Sequence, residues 1–91
     1  MTTPDAPESL IEYPCDFPIK VMCIAHETLV ETMSILVAEH DPEFHAGKLT
    51  TRASAKGNYL SLTVTVRATS RVQLDNIYRA FSGHPLVKMV L

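Results

Sequence analysis

The chain has 91 residues, of which 46% are hydrophobic and 20% are charged. This length predicts one domain with a modest core, because such a chain buries roughly 60–65% of its unfolded surface. The formal net charge of −2 argues against wholesale attraction to nucleic acid or to a membrane. No apolar run approaches the ~18 residues of a membrane span, and the N-terminus lacks the features of a secretory signal. We therefore expect a cytoplasmic protein in which Cys15 and Cys23 are free thiols.

Residues 1–13 are predicted to form a flexible N-terminal arm, because they combine prolines and acidic residues with little periodicity. A single domain is then expected over residues 14–91. Its first strand is predicted over residues 17–24, where near-continuous apolarity indicates a central place in a sheet. One face of that strand carries Ile19, Val21 and Cys23, and the other carries Lys20, Met22 and Ile24.

An amphipathic helix is predicted over residues 27–40, where apolar side chains recur at three- and four-residue spacing. Thr28 with Glu31 fits a capping box, which places the helix start within a residue or two. Pro42 ends the helix, because the residue before a proline avoids helical backbone angles. Residues 41–47 are expected to form a loop.

A β-hairpin is predicted over residues 48–68, with a two-residue turn at Gly57 and Asn58. After the turn, apolar and polar residues alternate, as they do in a strand that buries one face. A turn of two residues sets Leu49 opposite Val66. A shift of the pairing register by one residue would place apolar residues of one strand beside polar residues of the other. The alternation therefore predicts which side chains share each face of the hairpin.

A second helix is predicted over residues 70–82, with Ser70 and Gln73 as a capping box and Gly83 as its stop. A last strand is predicted over residues 86–91. The order β-α-β-β-α-β predicts an α+β protein of the ferredoxin-like type. This fold is a two-layer sandwich, in which a four-stranded antiparallel sheet carries both helices on one face. Its first and third strands are central, and its second and fourth strands form the edges.

The uncovered face of this sheet is the first candidate site. Alternation places basic side chains on it or at its rim, and the predicted strands carry no acidic residue. These charges favour an anionic small metabolite or an acidic protein partner. A solvated face with edge lysines that block strand addition also explains them. The candidate ligand- or partner-binding residues are Lys20, Lys48, Arg52, Lys56, Tyr59, Thr63, Thr65, Arg67 and Lys88.

RNA binding is a more distant alternative, because RNA-recognition modules share this topology. Residues 56–59 begin like the central-strand motif of those modules. The aromatic residues that stack bases are then missing after Tyr59. The sequence therefore gives little support to nucleic acid as a partner.

Two groups of residues have side chains that can bind metal ions, and the cysteine of the first group would suit a soft ion. Cys23 and His26 follow the first strand, and His40, Glu43 and His45 lie around the end of the first helix. A buried cysteine and histidines at helix and loop ends explain both groups more simply. The sequence shows no set of nucleophile, base and orienting residue, so we predict no enzyme and no cofactor or metal.

Four short segments together resemble one known family. They are Tyr13-Pro14, then Phe17-Pro18 with Lys20-Val21-Met22, then Ser54-Ala55-Lys56-Gly57-Asn58-Tyr59, and finally Val87-Lys88-Met89-Val90-Leu91. Their combination and the chain length resemble the YbeD family of small bacterial proteins. The resemblance covers about residues 11–91.

The resemblance implies a ferredoxin-like fold similar to that of ACT regulatory domains, which bind small metabolites and pair through their sheets. Members of the family are named as lipoic acid-binding regulators, from association with lipoate genes rather than from demonstrated chemistry. The resemblance carries over no catalytic residue. We therefore predict a non-enzymatic, ACT-like regulatory or ligand-binding module, linked to lipoate metabolism and able to form a homodimer. The alternative is a protein–protein adaptor that uses its sheet edges or its basic face.

Overall fold

The structure is a computed structural model that describes residues 12–91. The predicted arm over residues 1–13 lies outside the described residues, except for Glu12 and Tyr13. Tyr13 packs against the core. The elements are β1 (Cys15–Ile24), α1 (Leu29–Ala38), a short 3-10 helix (Ala46–Lys48), β2 (Leu49–Ala53), β3 (Tyr59–Ala68), α2 (Arg71–Ser82) and β4 (Val87–Val90).

The strands form one antiparallel sheet in the order β2-β3-β1-β4. β1 and β3 are central and β2 and β4 are the edges, as the sequence predicts. The observed architecture is therefore the predicted ferredoxin-like α+β sandwich. Neither helix within residues 12–91 has the length and apolarity needed to span a bilayer.

The core lies between one face of the sheet and the apolar stripes of the helices. It contains Ile19, Val21 and Cys23 of β1, Leu62, Val64, Val66 and Ala68 of β3, Leu29, Met33 and Val37 of α1, and Leu74, Ile77 and Phe81 of α2. Each large apolar side chain in this cluster contributes about 1.5–3 kcal/mol by its burial. The alternating residues of β1 and β3 face the other way and are exposed or half-buried, which leaves one face of the sheet open.

The start of α1 differs from the predicted capping box. Thr28 is the N-cap, but its side chain makes no capping hydrogen bond. Instead, Nδ1 of His26 accepts the Thr28 N–H at 3.1 Å and lies 3.0 Å from the Thr28 hydroxyl. The prediction of a capping box is therefore wrong, because the Thr28 hydroxyl lies against the His26 ring instead of accepting a helix amide.

The start of α2 agrees with the predicted capping box at Ser70, whereas the Gln73 side chain reaches the residue before Ser70 rather than Ser70 itself. The Ser70 hydroxyl accepts the Gln73 N–H at 3.1 Å, which satisfies an amide at the helix start. The Gln73 side chain accepts from the Thr69 N–H at 2.6 Å. Its amide group also donates to the carbonyls of His40 and Arg67. Gln73 therefore ties α2 to the end of β3 and to the segment after α1.

The pairing of β2 with β3 is shifted from the predicted register. Leu49 lies opposite Val64 rather than Val66, so the two registers differ by two residues. The connection between the strands covers residues 54–58 and is longer than a two-residue turn. Because alternation in a strand has a period of two, this shift keeps every side chain on its predicted face. The faces were thus predicted correctly, and the cross-strand pairs were wrong.

Ser54 closes the hairpin turn with three hydrogen bonds. Its N–H donates to the Tyr59 carbonyl at 2.9 Å, and its carbonyl accepts the Gly57 N–H at 3.0 Å. Its hydroxyl accepts the Tyr59 N–H at 3.2 Å. Gly57 has a φ of 75°, a conformation that favours glycine. A glycine therefore suits this position of the turn, because a residue with a Cβ would be strained there.

Candidate functional site

The face of the sheet away from the helices, called here the open face, is the candidate site. Cross-strand pairs set its rows, with Met22 opposite Ser61 and Lys20 opposite Thr63. Arg52 of β2 pairs with Ser61 and extends the first of these rows. The open face consists of Asp16, Pro18, Lys20, Met22 and Ile24 of β1, Tyr59, Ser61, Thr63, Thr65 and Arg67 of β3, Thr50 and Arg52 of β2, and Met89 of β4.

A shallow groove of about 210 Å³ lies at the end of the open face next to the hairpin turn. It is lined by Met22, Arg52, Ala53, Ser54, Tyr59 and Ser61. These residues are called the groove end. Pockets for drug-sized ligands measure roughly 300–1,000 Å³, so this groove suits a short aliphatic or amino acid-sized ligand.

Two of the predicted binding residues, Arg52 and Tyr59, line the groove. Tyr59 is 39% exposed, and Arg52 is exposed as well. No carboxylate within residues 12–91 forms a salt bridge with Arg52. The structure therefore places a cation without an acidic partner in that range beside the apolar surface of Met22 and the tyrosine ring.

Arg67 lies at the opposite end of the open face, and it is paired. Its guanidinium nitrogen lies 3.3 Å from a carboxylate oxygen of Asp16, the residue opposite it on β1. The expectation that the strands carry no acidic residue is wrong, because β1 begins at Cys15 and so includes Asp16. Arg67 stands six residues beyond Ser61 on β3, which separates it from the groove by about 20 Å. A small ligand that contacts Arg52 therefore cannot reach Arg67.

A buried carboxylate holds the backbone at this second end. Asp41 is 1% exposed. One of its oxygens accepts the Arg67 N–H at 2.8 Å, and the other accepts the Glu43 N–H at 3.0 Å. We call Asp16, Asp41 and Arg67 the Arg67 end. The sequence assigned Asp41 only to a loop, because no local pattern signals a bond to a residue 26 positions away.

The remaining predicted residues are dispersed over the molecule. Lys20 is exposed and Thr63 is half-buried, and they form the row between the two ends. Lys48 is the half-buried last residue of the 3-10 helix rather than part of a strand. Lys56 is exposed in the hairpin turn. Lys88 lies where the pairing of β4 with β1 shifts, and it has no partner in that register.

Apolar residues that the sequence analysis did not assign to the site border the groove. Ile24 pairs with Tyr59, and Met89 pairs with Met22. Ile24 is 38% exposed and Met89 is 52% exposed. Alternation along the first strand predicts that Ile24 and Met22 lie on this face, and it is the signal in the sequence that points to them.

Three of the residues considered as metal ligands have other roles. Cys23 is fully buried, and desolvation raises the pKa of its thiol. His26 accepts the Thr28 amide, and Nδ1 of His45 accepts the Gly47 N–H at 3.1 Å. In the part of the chain that the structure describes, no three or more His, Cys, Asp or Glu side chains gather to hold a metal ion.

Fold and site together define a ferredoxin-like α+β domain with an open sheet face that carries a shallow, cation-bordered groove. The chain belongs to the family described as "Protein of unknown function (DUF493)", which it matches over residues 8–91. This membership confirms the resemblance to the YbeD family.

Similar proteins cover the whole length of the chain. The UPF0250 protein of Janthinobacterium sp. (strain Marseille) is 65% identical over 91 residues, which is 100% of both chains. The UPF0250 protein of Ralstonia nicotianae is 59% identical, over 98% of this chain and 94% of that protein. The solution structure of protein HP0495 from H. pylori matches with a TM-score of 0.73 at 18% identity, over 100% of this chain and 97% of that chain. At that identity the solved structure supports the fold alone.

Proposed function

We propose that the protein is a non-enzymatic, ACT-like binding module of the cytoplasm, and that its ligand site is the groove end of the open face. The observation that carries this proposal is the position of Arg52. Its cationic side chain borders a groove that also presents Met22 and Tyr59, and no acid within residues 12–91 neutralises it. The ligand class is a small carboxylate with an apolar chain, and lipoate and octanoate are the representatives that the family resemblance suggests.

Each part of such a ligand has a counterpart in the groove. A guanidinium can donate two parallel hydrogen bonds to one carboxylate, and such bonds are roughly twice as strong as neutral ones. The apolar chain would cover Met22 and the tyrosine ring, at about 25 cal/mol per Å² removed from water. The groove is shallow, so the ligand stays partly in water. We therefore expect dissociation constants of about 10⁻⁴–10⁻³ M.

Two arginine variants test this proposal. Calorimetric titration and thermal-shift assays with octanoate and lipoate should show binding to the wild-type protein and to Arg67→Ser, but none to Arg52→Ser. Arg67→Ser is the matched control, because it removes the same charge from the same face about 20 Å away from the groove. Octanol and octylamine should not stabilise the protein. Equal binding by both variants would disprove the assignment of the groove.

An adaptor that binds an acidic protein is the second candidate. It is favoured by the small volume of the groove, about 210 Å³, and by the 52% exposure of the neighbouring Met89. A flat, partly apolar surface with unpaired cations suits a side chain of a partner as well as a free metabolite. The absence of any small-molecule shift, together with a protein partner recovered in a salt-controlled pull-down, would favour the adaptor.

A further inference from the structure

The outer edge of β2 presents backbone groups that point away from the sheet. β2 is the first strand in the order β2-β3-β1-β4, so only one of its sides is paired. The Ser54 N–H donates to the Tyr59 carbonyl. Bonded and non-bonded pairs alternate along an antiparallel ladder, so Thr51 and Ala53 direct their N–H and C=O groups outward. The Leu49 N–H, which the same alternation directs outward, is turned back to the Ala46 carbonyl.

The two helices leave this part of β2 uncovered. Thr51 pairs with Leu62 and therefore lies on the helix side of the sheet, yet it is exposed. Ala53 is exposed in the same way, while Leu49 at the other end of the strand is only 8% exposed. After Leu49, the residues of β2 are therefore exposed to solvent on both faces of the strand and along its outer edge.

The opposite edge of the sheet is less suitable for adding a strand. β4 has four residues, and its register with β1 shifts between Met22 and Cys23. Such irregularities twist an edge and protect it from pairing. β2 pairs with β3 without a shift over its five residues. An added strand requires a regular edge with free backbone N–H and C=O groups at alternate residues, as Thr51 and Ala53 provide.

The charges around this edge select its occupant. Lys48 directly precedes β2, Arg52 lies within it and Lys56 follows it in the hairpin turn. No carboxylate within residues 12–91 forms a salt bridge with any of them. A second copy of the chain paired through the same edge would bring two such basic clusters together, which is unfavourable. We propose that the outer edge of β2 binds an extended acidic segment of a partner protein as an additional strand. The contacts of this edge are the backbone groups of Thr51 and Ala53. Ala53 and Arg52 also line the groove, whereas Thr51 does not, so a change at Thr51 tests the edge without altering a groove residue.

A peptide titration followed by NMR tests the proposal. The probe is acetyl-Glu-Val-Glu-Val-Glu-amide, added to the ¹⁵N-labelled full chain. We expect the largest amide shifts at Thr51 and Ala53, and binding that weakens as salt is raised. Thr51→Pro should lower the affinity about tenfold, because it removes an outward donor and places a ring at the edge. The same change leaves the ladder with β3 intact, since proline is tolerated where an edge N–H faces solvent.

Three controls separate the possible results. The peptide with lysine in place of glutamate should not bind, and octanoate binding by Thr51→Pro should equal that of the wild-type protein. If Thr51→Pro does not fold, the double variant Lys48→Ser, Lys56→Ser should still weaken peptide binding about threefold or more. Unchanged peptide affinity in the variant that folds would overturn the proposal. So would shifts centred on β4, or concentration-dependent self-association through β2 without peptide.

Discussion

The open face has an arginine at each end, and the two side chains have different surroundings. At the Arg67 end, the guanidinium pairs with Asp16 at 3.3 Å and the backbone amide bonds to Asp41 at 2.8 Å. At the groove end, Arg52 borders apolar surface, and no acid within residues 12–91 forms a salt bridge with it. The same residue type on the same face therefore serves local structure at one end and is available to a ligand at the other.

The residue paired with each arginine on the adjacent strand explains this difference. Arg67 is on β3, a central strand, so β1 places a residue directly opposite it, and that residue is Asp16. Arg52 is on β2, an edge strand with a neighbour on one side only, and that neighbour is Ser61. Each arginine thus has one paired neighbour, because the pairing of β2 with β3 covers Leu60 to Val64 and does not reach Arg67. The number of basic residues on a sheet face therefore does not show which of them lack a salt bridge and can contact a ligand.

Replacement of Asp41 should give the largest effect and is confined to the Arg67 end. Asp41→Ala leaves the Arg67 and Glu43 amides without their acceptor in a part-buried site. Unsatisfied donors of this kind cost about 1–3 kcal/mol each. Because both bonds are only part-buried, we expect the free energy of unfolding to fall by about 2–3 kcal/mol, the lower part of the range for two donors. Urea denaturation followed by circular dichroism measures this loss.

Asp41→Asn is the matched control for that prediction. The amide keeps one carbonyl oxygen as an acceptor, so it should recover part of the loss. Octanoate affinity of the folded fraction should not change in either variant, because the groove lies at the other end of the face. A loss below about 0.5 kcal/mol, the usual range for surface substitutions, would show that Asp41 does not fasten the Arg67 end.

Replacement of Gly57 should act on the groove end with a smaller effect. Gly57 has a φ of 75°, and a Cβ added there would meet nothing within 4 Å. The cost of Gly57→Ala is therefore backbone strain alone, about 1 kcal/mol. Because Ser54 and Tyr59 of the same turn line the groove, octanoate affinity should fall as well, which thermal-shift titration measures.

Gly83→Ala is the matched control, because it makes the same chemical change where φ is −88°. Its added Cβ would lie 3.4 Å from the Arg79 carbonyl oxygen, so we expect a change within about 0.5 kcal/mol and unaltered ligand affinity. An equal loss of stability in both glycine variants would contradict the assignment of strain to the hairpin turn.

The sequence predicted the elements and the sorting of faces, because both follow from local periodicity. It predicted the strand order because the order of the elements matches the ferredoxin-like plan. It did not predict the register of β2 with β3. Leu49 opposite Val64 and Leu49 opposite Val66 differ by two residues, and both sort apolar from polar side chains equally well. The choice depends on the turn, where Ser54 bonds Tyr59 and encloses a longer connection than Gly57 and Asn58 alone suggest.

The candidate site was predicted only in part, for a related reason. Arg52 and Tyr59 were identified from charge and alternation, and the structure places both in the groove. The pairing of Arg67 with Asp16 could not be foreseen, because it joins residues 51 positions apart and depends on where β1 begins. The helix starts were also predicted in part. The Ser70 side chain caps α2 as its sequence pattern predicts, whereas at the start of α1 the Thr28 N–H donates to His26.

The ion pair itself should contribute the smallest effect. The side chains of Arg67 and Asp16 are 36% and 66% exposed, so water and salt screen their attraction. A double-mutant cycle with Asp16→Asn and Arg67→Gln should give a coupling energy of about 0.5 kcal/mol or less, which decreases as salt is raised. Asp16→Asn should also leave octanoate affinity unchanged if the groove end acts alone. Tighter octanoate binding in Asp16→Asn would show that removing this acid makes Arg67 available as a second anion site, and that the two ends differ only through Asp16.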